Sequence, residues 1–145
     1  RVGLIAGAKA YIDTILKVKS NVDSGMYLPV QEAAVAALHN SDEWHAERNK
    51  VYEQRRSYAY AIMDALGCTY STDQVGMFIW AKIPDSYADV EALTEKVLME
   101  ADVFITPGFI FGSKGARYIR ISLCSPEKDL AAALERIQQL FAQNN

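Results

Sequence analysis

One charged residue, Arg120, stands in the middle of the strand-like segment Tyr118-Ile119-Arg120-Ile121-Ser122. Because side chains alternate along a strand, we expect Arg120 to share a face with Tyr118 and Ser122, and Arg117 to lie on the opposite face. A guanidinium among apolar residues needs an anion or a solvated edge, and its planar fork fits a carboxylate through two parallel hydrogen bonds. On spacing alone two interpretations stay open: a carboxylate-binding arginine, or an edge strand whose arginine forms a surface salt bridge.

Two glycine-containing turns precede this strand. Pro107 and Gly108 turn the chain after an apolar segment, and Gly112 and Gly115 bracket a second loop.

The run from Val103 to Ser122 resembles the C-terminal signature of class I aminotransferases, which are pyridoxal-phosphate enzymes of fold type I. The matching residues are Val103, Thr106, Pro107, Gly108, Phe111, Gly112, Gly115, Tyr118, Arg120, Ile121 and Ser122. In that family the arginine before the Ile-Ser pair binds the α-carboxylate of the amino-acid substrate. The resemblance therefore implies substrate binding for Arg120.

The first residues, Arg1-Val2-Gly3-Leu4-Ile5, are similar to the family segment that follows the lysine forming the Schiff base with the cofactor. Arg1 matches the arginine that binds the cofactor phosphate. Because the lysine would precede Arg1, the resemblance implies a C-terminal fragment, roughly the last third of such an enzyme, with no catalytic residue of its own. We expect the fragment to be inactive and to bind no pyridoxal phosphate, although the parent enzyme uses it. Alternatively, Arg1 is only a solvated terminus.

Hydrophobic periodicity predicts an α+β fold, with a small mixed or antiparallel sheet covered by helices. A long helix is predicted to begin at the capping residue Ser41 and to end before Gly67. Strands are predicted near 68–71, 76–83, 102–105 and 117–123, and further helices near 89–101 and 125–142. The last two helices each have one apolar stripe, so they are expected to pack on one face of the sheet.

The resemblance also implies a division of the chain. Residues 1–40 would be a remnant of the large cofactor-binding domain, residues 41–66 a long connecting helix, and residues 67–145 the C-terminal small domain. The expected substrates are an amino acid and a 2-oxo acid, and the parent is expected to be a homodimer.

Composition excludes several other classes. The net charge of -3 indicates no nucleic-acid partner, and no apolar run is long enough to predict a membrane helix or a leader segment. Cys68 and Cys124 lack a disulfide or metal spacing, so both are expected to be buried thiols in a reducing cytoplasm. His39 and His45 have no partner at ligand spacing, so no metal site is predicted.

Two alternatives stay open from the sequence. One is the same fragment from another fold-type-I pyridoxal-phosphate enzyme, a C–S lyase or a diaminopimelate aminotransferase. The other is a non-enzymatic α+β dimerisation module that shares only the architecture of the small domain.

Overall fold

The computed structural model describes residues 2–142, and the chain divides into two units with the boundary between Ala46 and Glu47. The first unit contains α1 (Lys9–Val22), α2 (Leu28–Leu38) and the start of α3 (Asp42–Ala65). The second contains the rest of α3, β1 (Phe78–Lys82), α4 (Val90–Ala101), β2 (Thr106–Pro107), the 3-10 turns Gly108–Phe111 and Ser113–Gly115, β3 (Tyr118–Ser122) and α5 (Glu127–Ala142).

Both ends of α3 form as the sequence predicts. The Ser41 hydroxyl accepts a hydrogen bond from the Trp44 amide at 3.3 Å, which caps the first turn. At the other end Gly67 has a φ of 69°, and the amides of Gly67 and Cys68 each donate to carbonyls of the last turn at 2.9 Å. This left-handed residue ends the helix and satisfies carbonyls that would otherwise lack partners.

The sheet is antiparallel, with three strands in the order β1-β3-β2. The α+β class and the strands near 76–83 and 117–123 are confirmed. The strand predicted at 102–105 is wrong, because pairing begins only at Thr106. Asp102 adopts a left-handed φ of 51° at the end of α4, and the Val103 amide still bonds back to that helix, so the next residues are needed to reach the sheet.

The strand predicted at 68–71 is also absent, and Thr69 forms only an isolated bridge with Lys82. A side chain replaces the strand along the rest of this edge. Gln74 Oε1 accepts a hydrogen bond from the Trp80 amide at 2.7 Å, and its Nε2 donates to the Trp80 carbonyl at 3.0 Å. The outer edge of β1 is therefore hydrogen-bonded at Trp80 and Lys82 without a fourth strand.

One face of the sheet forms the core of the second unit. Its buried residues include Ile79, Ala81, Ile119 and Ile121 from the strands, Ala59, Ile62 and Met63 from α3, Val90, Leu93 and Val97 from α4, and Leu130, Ala133 and Ile137 from α5. Each fully buried large aliphatic side chain contributes about 1.5–3 kcal/mol of transfer free energy. The expectation that α4 and α5 cover one face of the sheet is confirmed, because both helices bury their apolar residues in this one core.

The two cysteines differ in exposure. Cys68 is buried, as expected, but Cys124 is exposed, so the expectation of a buried thiol there is wrong. Cys124 lies in the turn between β3 and α5, directly after the buried Leu123. Both thiols are free, and burial raises the pKa of Cys68 to about 11.

Iodoacetamide at pH 8 should modify Cys124 quickly and leave Cys68 intact in the folded chain, because the thiolate is the nucleophile. An unfolded cysteine has a pKa of about 8.5, so the folded state holds the Cys68 proton more tightly. The free energy of unfolding should therefore fall as the pH rises from that value towards about 11. Peptide mass spectrometry with and without denaturant measures the reactivity, and equal labelling of both thiols without denaturant would contradict it.

The first unit exposes much of its apolar surface. No residue of α1 or α2 is buried, and Leu4 is 88% and Leu16 is 60% exposed. Exposed apolar surface of this kind favours association. No helix within residues 2–142 has the length and apolar character needed to cross a bilayer.

We predict that the chain self-associates as its concentration rises and that the double variant Leu4→Asp/Leu16→Asp weakens this association. Sedimentation velocity over a concentration series measures it. Val75→Asp is the matched control, because Val75 is equally exposed, at 88%, but lies in the second unit. A monomer at all concentrations, with the amides of residues 2–16 protected from hydrogen exchange, would contradict this prediction.

Candidate functional site

Arg120 lies in the central strand of the sheet, on the face opposite the core. Its cross-strand partners are Trp80 in β1 and Thr106 in β2. The same face carries Tyr118 and Ser122, which are half-buried, whereas their neighbours Ile119 and Ile121 in β3 are buried. The predicted alternation of β3 is confirmed, and the edge-strand interpretation is wrong because β3 is paired on both sides.

Two aromatic rings hold the guanidinium of Arg120. Its central carbon lies 4.2 Å from the ring centroid of Phe78 and 4.1 Å from that of Phe111. We call Phe78 and Phe111 the aromatic clamp. Arginine stacks well on aromatic rings because its charge is delocalised over a plane and weakly hydrated.

The polar atoms of Arg120 are not satisfied within the part of the chain that the structure describes. Its Nε is buried and has no hydrogen-bond partner among residues 2–142, and no carboxylate there pairs with the guanidinium. An unpaired buried donor typically costs about 1–3 kcal/mol. Since the side chain is held at this cost, the site is suited to an external acceptor such as a carboxylate.

The aromatic clamp belongs to a larger aromatic cluster on the same face. The Trp80 ring stacks on Tyr118, with centroids 5.4 Å apart, and meets Phe111 edge-on at 5.9 Å. Phe111 is therefore attached to the sheet although it comes from the first 3-10 turn. The signature match included Phe111, but Phe78 and Trp80 were not predicted as site residues. The alternation of Phe78 and Trp80 with Ile79 along the predicted strand was the sequence signal that could have placed both rings on one face.

Close backbone contact between Gly108 and Gly115 holds the two 3-10 turns together. A Cβ on Gly108 would lie 2.5 Å from the Gly115 carbonyl oxygen and 2.8 Å from Trp80 Cη2, and a Cβ on Gly115 would collide with the Gly108 carbonyl. Only glycine fits at these two positions. The signature glycines therefore determine where Phe111 can lie.

Arg117 has a different role, although it is only three residues from Arg120. Its guanidinium donates to the carbonyls of Pro84 at 2.9 Å, Tyr87 at 2.7 Å and Ala88 at 2.9 Å. These bonds fix the loop between β1 and α4. The Arg117 guanidinium is thus already hydrogen-bonded within the fold and is not free to bind a carboxylate through two parallel hydrogen bonds.

Arg120 lines a cavity of about 270 Å³ together with Thr106 and Ser122. The buried residues Ile62, Ile121 and Leu130 also line it, and neither residue of the aromatic clamp contributes to it. Arg1, the predicted cofactor-binding residue, lies outside the described residues.

We predict stability effects of different size for the two arginines. Arg117→Ala should lower the free energy of unfolding by about 1–3 kcal/mol because it leaves loop carbonyls unpaired. Arg120→Ala should change stability much less, because it removes a donor that has no partner. Urea unfolding followed by Trp80 fluorescence in a Trp44→Phe background measures both. A larger loss for Arg120→Ala would contradict the assignment.

Comparisons with known proteins agree with this geometry. The family model described as aminotransferase class I and II matches residues 1–137. An LL-diaminopimelate aminotransferase of Oleidesulfovibrio alaskensis is 36% identical over 140 residues, which are 97% of this chain and 36% of that protein.

Solved structures give the same result. The substrate-bound structure of BacF from Bacillus subtilis matches with a TM-score of 0.78 and 32% identity, over 92% of this chain and 34% of that one. A probable N-succinyldiaminopimelate aminotransferase from Thermus thermophilus matches with a TM-score of 0.76 and 26% identity, over 92% and 36%. The chain spans about a third of the length of these relatives, 34–36%. Because the family model matches almost the whole sequence, the chain belongs to the class I and II aminotransferases, which are pyridoxal-phosphate enzymes of fold type I.

Proposed function

We propose that this chain is part of an aminotransferase that moves an amino group between an amino acid and a 2-oxo acid, and that Arg120 binds the α-carboxylate of both. One observation carries the proposal: Arg120 is held by the aromatic clamp with a buried Nε that has no acceptor among residues 2–142. Both substrates carry a carboxylate next to the reacting carbon. A single arginine can therefore orient the substrate in both directions of the reaction.

Arg120 orients the substrate and takes no part in breaking its bonds. When the guanidinium donates hydrogen bonds to both carboxylate oxygens, the substrate can rotate only about the bond between its carboxylate and its α-carbon. Aromatic neighbours and a partly buried setting strengthen this ion pair because they reduce competition from water. The reacting carbon is then presented in a defined orientation.

Pyridoxal phosphate, the cofactor of the family, supplies the electron-accepting chemistry when bound. For this chain we propose that Arg1 binds its phosphate, which relies on the resemblance alone because Arg1 lies outside the described residues. By the same resemblance no residue of this chain holds the cofactor covalently. We therefore propose that these 145 residues alone are inactive and bind no cofactor.

We propose LL-diaminopimelate as the first amino donor to test, because it is the substrate named for the similar protein of Oleidesulfovibrio alaskensis. A C–S lyase would instead release a thiol, ammonia and a 2-oxo acid from a β-thio amino acid, with no acceptor required. Assays with and without a 2-oxo acid acceptor separate the two. We further propose a homodimeric parent and a cytoplasmic location, the latter supported by two free thiols.

In the intact enzyme, Arg120→Ala should lower kcat/KM for the amino acid by about 30-fold or more, because a desolvated charge pair is worth roughly 2–5 kcal/mol. Arg120→Lys should lose much of the same activity, because it keeps the charge but not the fork. The measurement compares each amino acid with the amine that lacks its α-carboxylate. Wild type should prefer the amino acid, and Arg120→Ala should lose most of this preference.

Arg117→Ala is the matched control, since it removes a guanidinium from the opposite face. It should keep the preference for the amino acid even where it lowers stability. If Arg117→Ala loses the preference and Arg120→Ala keeps it, the carboxylate is bound on the other face and the proposal is wrong.

A further inference from the structure

We propose that Phe111 is a positioning residue that fixes the orientation of the Arg120 guanidinium and so sets the affinity for the substrate carboxylate. The inference rests on the proposed function, because it assigns to Phe111 an effect that acts through Arg120. Phe111 lies on a separate loop, and the substrate need not touch it.

The contacts support this role. The Phe111 ring centroid lies 4.1 Å from the central carbon of Arg120, within the range of a cation–π contact. Arg120 has no hydrogen bond to orient it among residues 2–142, in contrast to Arg117, which has three carbonyl acceptors. The aromatic clamp is therefore what orients the guanidinium before substrate arrives.

Phe111 is itself held in place from two directions. Its ring meets the edge of Trp80 at 5.9 Å, and its 3-10 turn is closed by the Gly108–Gly115 contact. Phe111 is nevertheless 50% exposed, so it contributes little to the core. A large exposed aromatic side chain with its backbone fixed by glycines is well suited to orient a neighbour rather than to stabilise the fold.

The orientation matters because carboxylate recognition by arginine is directional. Two parallel hydrogen bonds form only when the carboxylate lies near the guanidinium plane. A long flexible side chain loses rotamer freedom when it binds, and a preoriented one loses less. Removing Phe111 should therefore weaken carboxylate binding without changing what the arginine can bind.

The test compares Phe111→Ala, Phe111→Leu and Phe109→Ala in the intact enzyme. Phe109 is the matched control, because it lies in the same turn, is 41% exposed and has no ring or guanidinium contact within residues 2–142. Phe111→Ala should lower kcat/KM for an amino acid about 3-fold to 30-fold, mainly through a higher KM. Phe111→Leu should fall between Phe111→Ala and wild type, and Phe109→Ala should match wild type.

The amine that lacks the carboxylate distinguishes positioning from general damage. Its kcat/KM should be unchanged by Phe111→Ala. Equal losses for the amino acid and the amine would overturn the inference, and so would equal effects of Phe111→Ala and Phe109→Ala.

A double variant tests whether Phe111 acts through Arg120. In the Arg120→Ala background, Phe111→Ala should cause no further loss of preference, because there is no guanidinium left to orient. A further loss of the same size would overturn the inference while leaving the role of Arg120 intact. If Arg120→Ala alone keeps the wild-type preference, the proposed function fails instead, so the two failures are distinguishable.

Discussion

The alternation of side chains along β3 sets both the packing of the core and the orientation of the candidate site. Ile119 and Ile121 are buried in the core, and this places Arg120 on the opposite face. A shift of one residue in register would bury the guanidinium and expose both isoleucines. The packing free energy of the core therefore also fixes the orientation of the candidate site.

Two arginines in one short segment show how the fold separates stability from binding. Arg117 satisfies loop carbonyls and has nothing left to offer a ligand. Arg120 has aromatic contacts but no hydrogen-bond acceptor among residues 2–142. A residue kept partly unsatisfied lowers stability, and such residues are typical of sites that bind a ligand.

The loop before β3 links the backbone to the site. Its glycines allow two backbone segments to approach more closely than any other residue would permit, and this brings Phe111 to Trp80 and Arg120. The signature of the family is thus largely a description of this geometry. Most of its matching residues form the loop or the strand, and one of them, Arg120, is the residue that we propose binds the substrate carboxylate.

Much of this organisation is determined locally and could be predicted from the sequence. The caps of α3, the faces of β3 and the apolar stripes of α4 and α5 depend on neighbouring residues, so periodicity and capping residues were sufficient. The family resemblance also identified Arg120 from local sequence, because the matching residues lie in one contiguous segment. Its role and that of Arg1 stay predictions.

Contacts between distant segments follow from the tertiary structure and from no local sequence pattern. The tertiary structure made β3 the central strand, began β2 at Thr106, and left Thr69 in a single bridge because the Gln74 side chain binds the edge of β1. It also brought Phe78 to Arg120, although 42 positions separate them in the sequence. Strand pairing and side-chain contacts of this kind depend on which distant segments lie next to each other in the folded chain. A local pattern of residues does not contain this information.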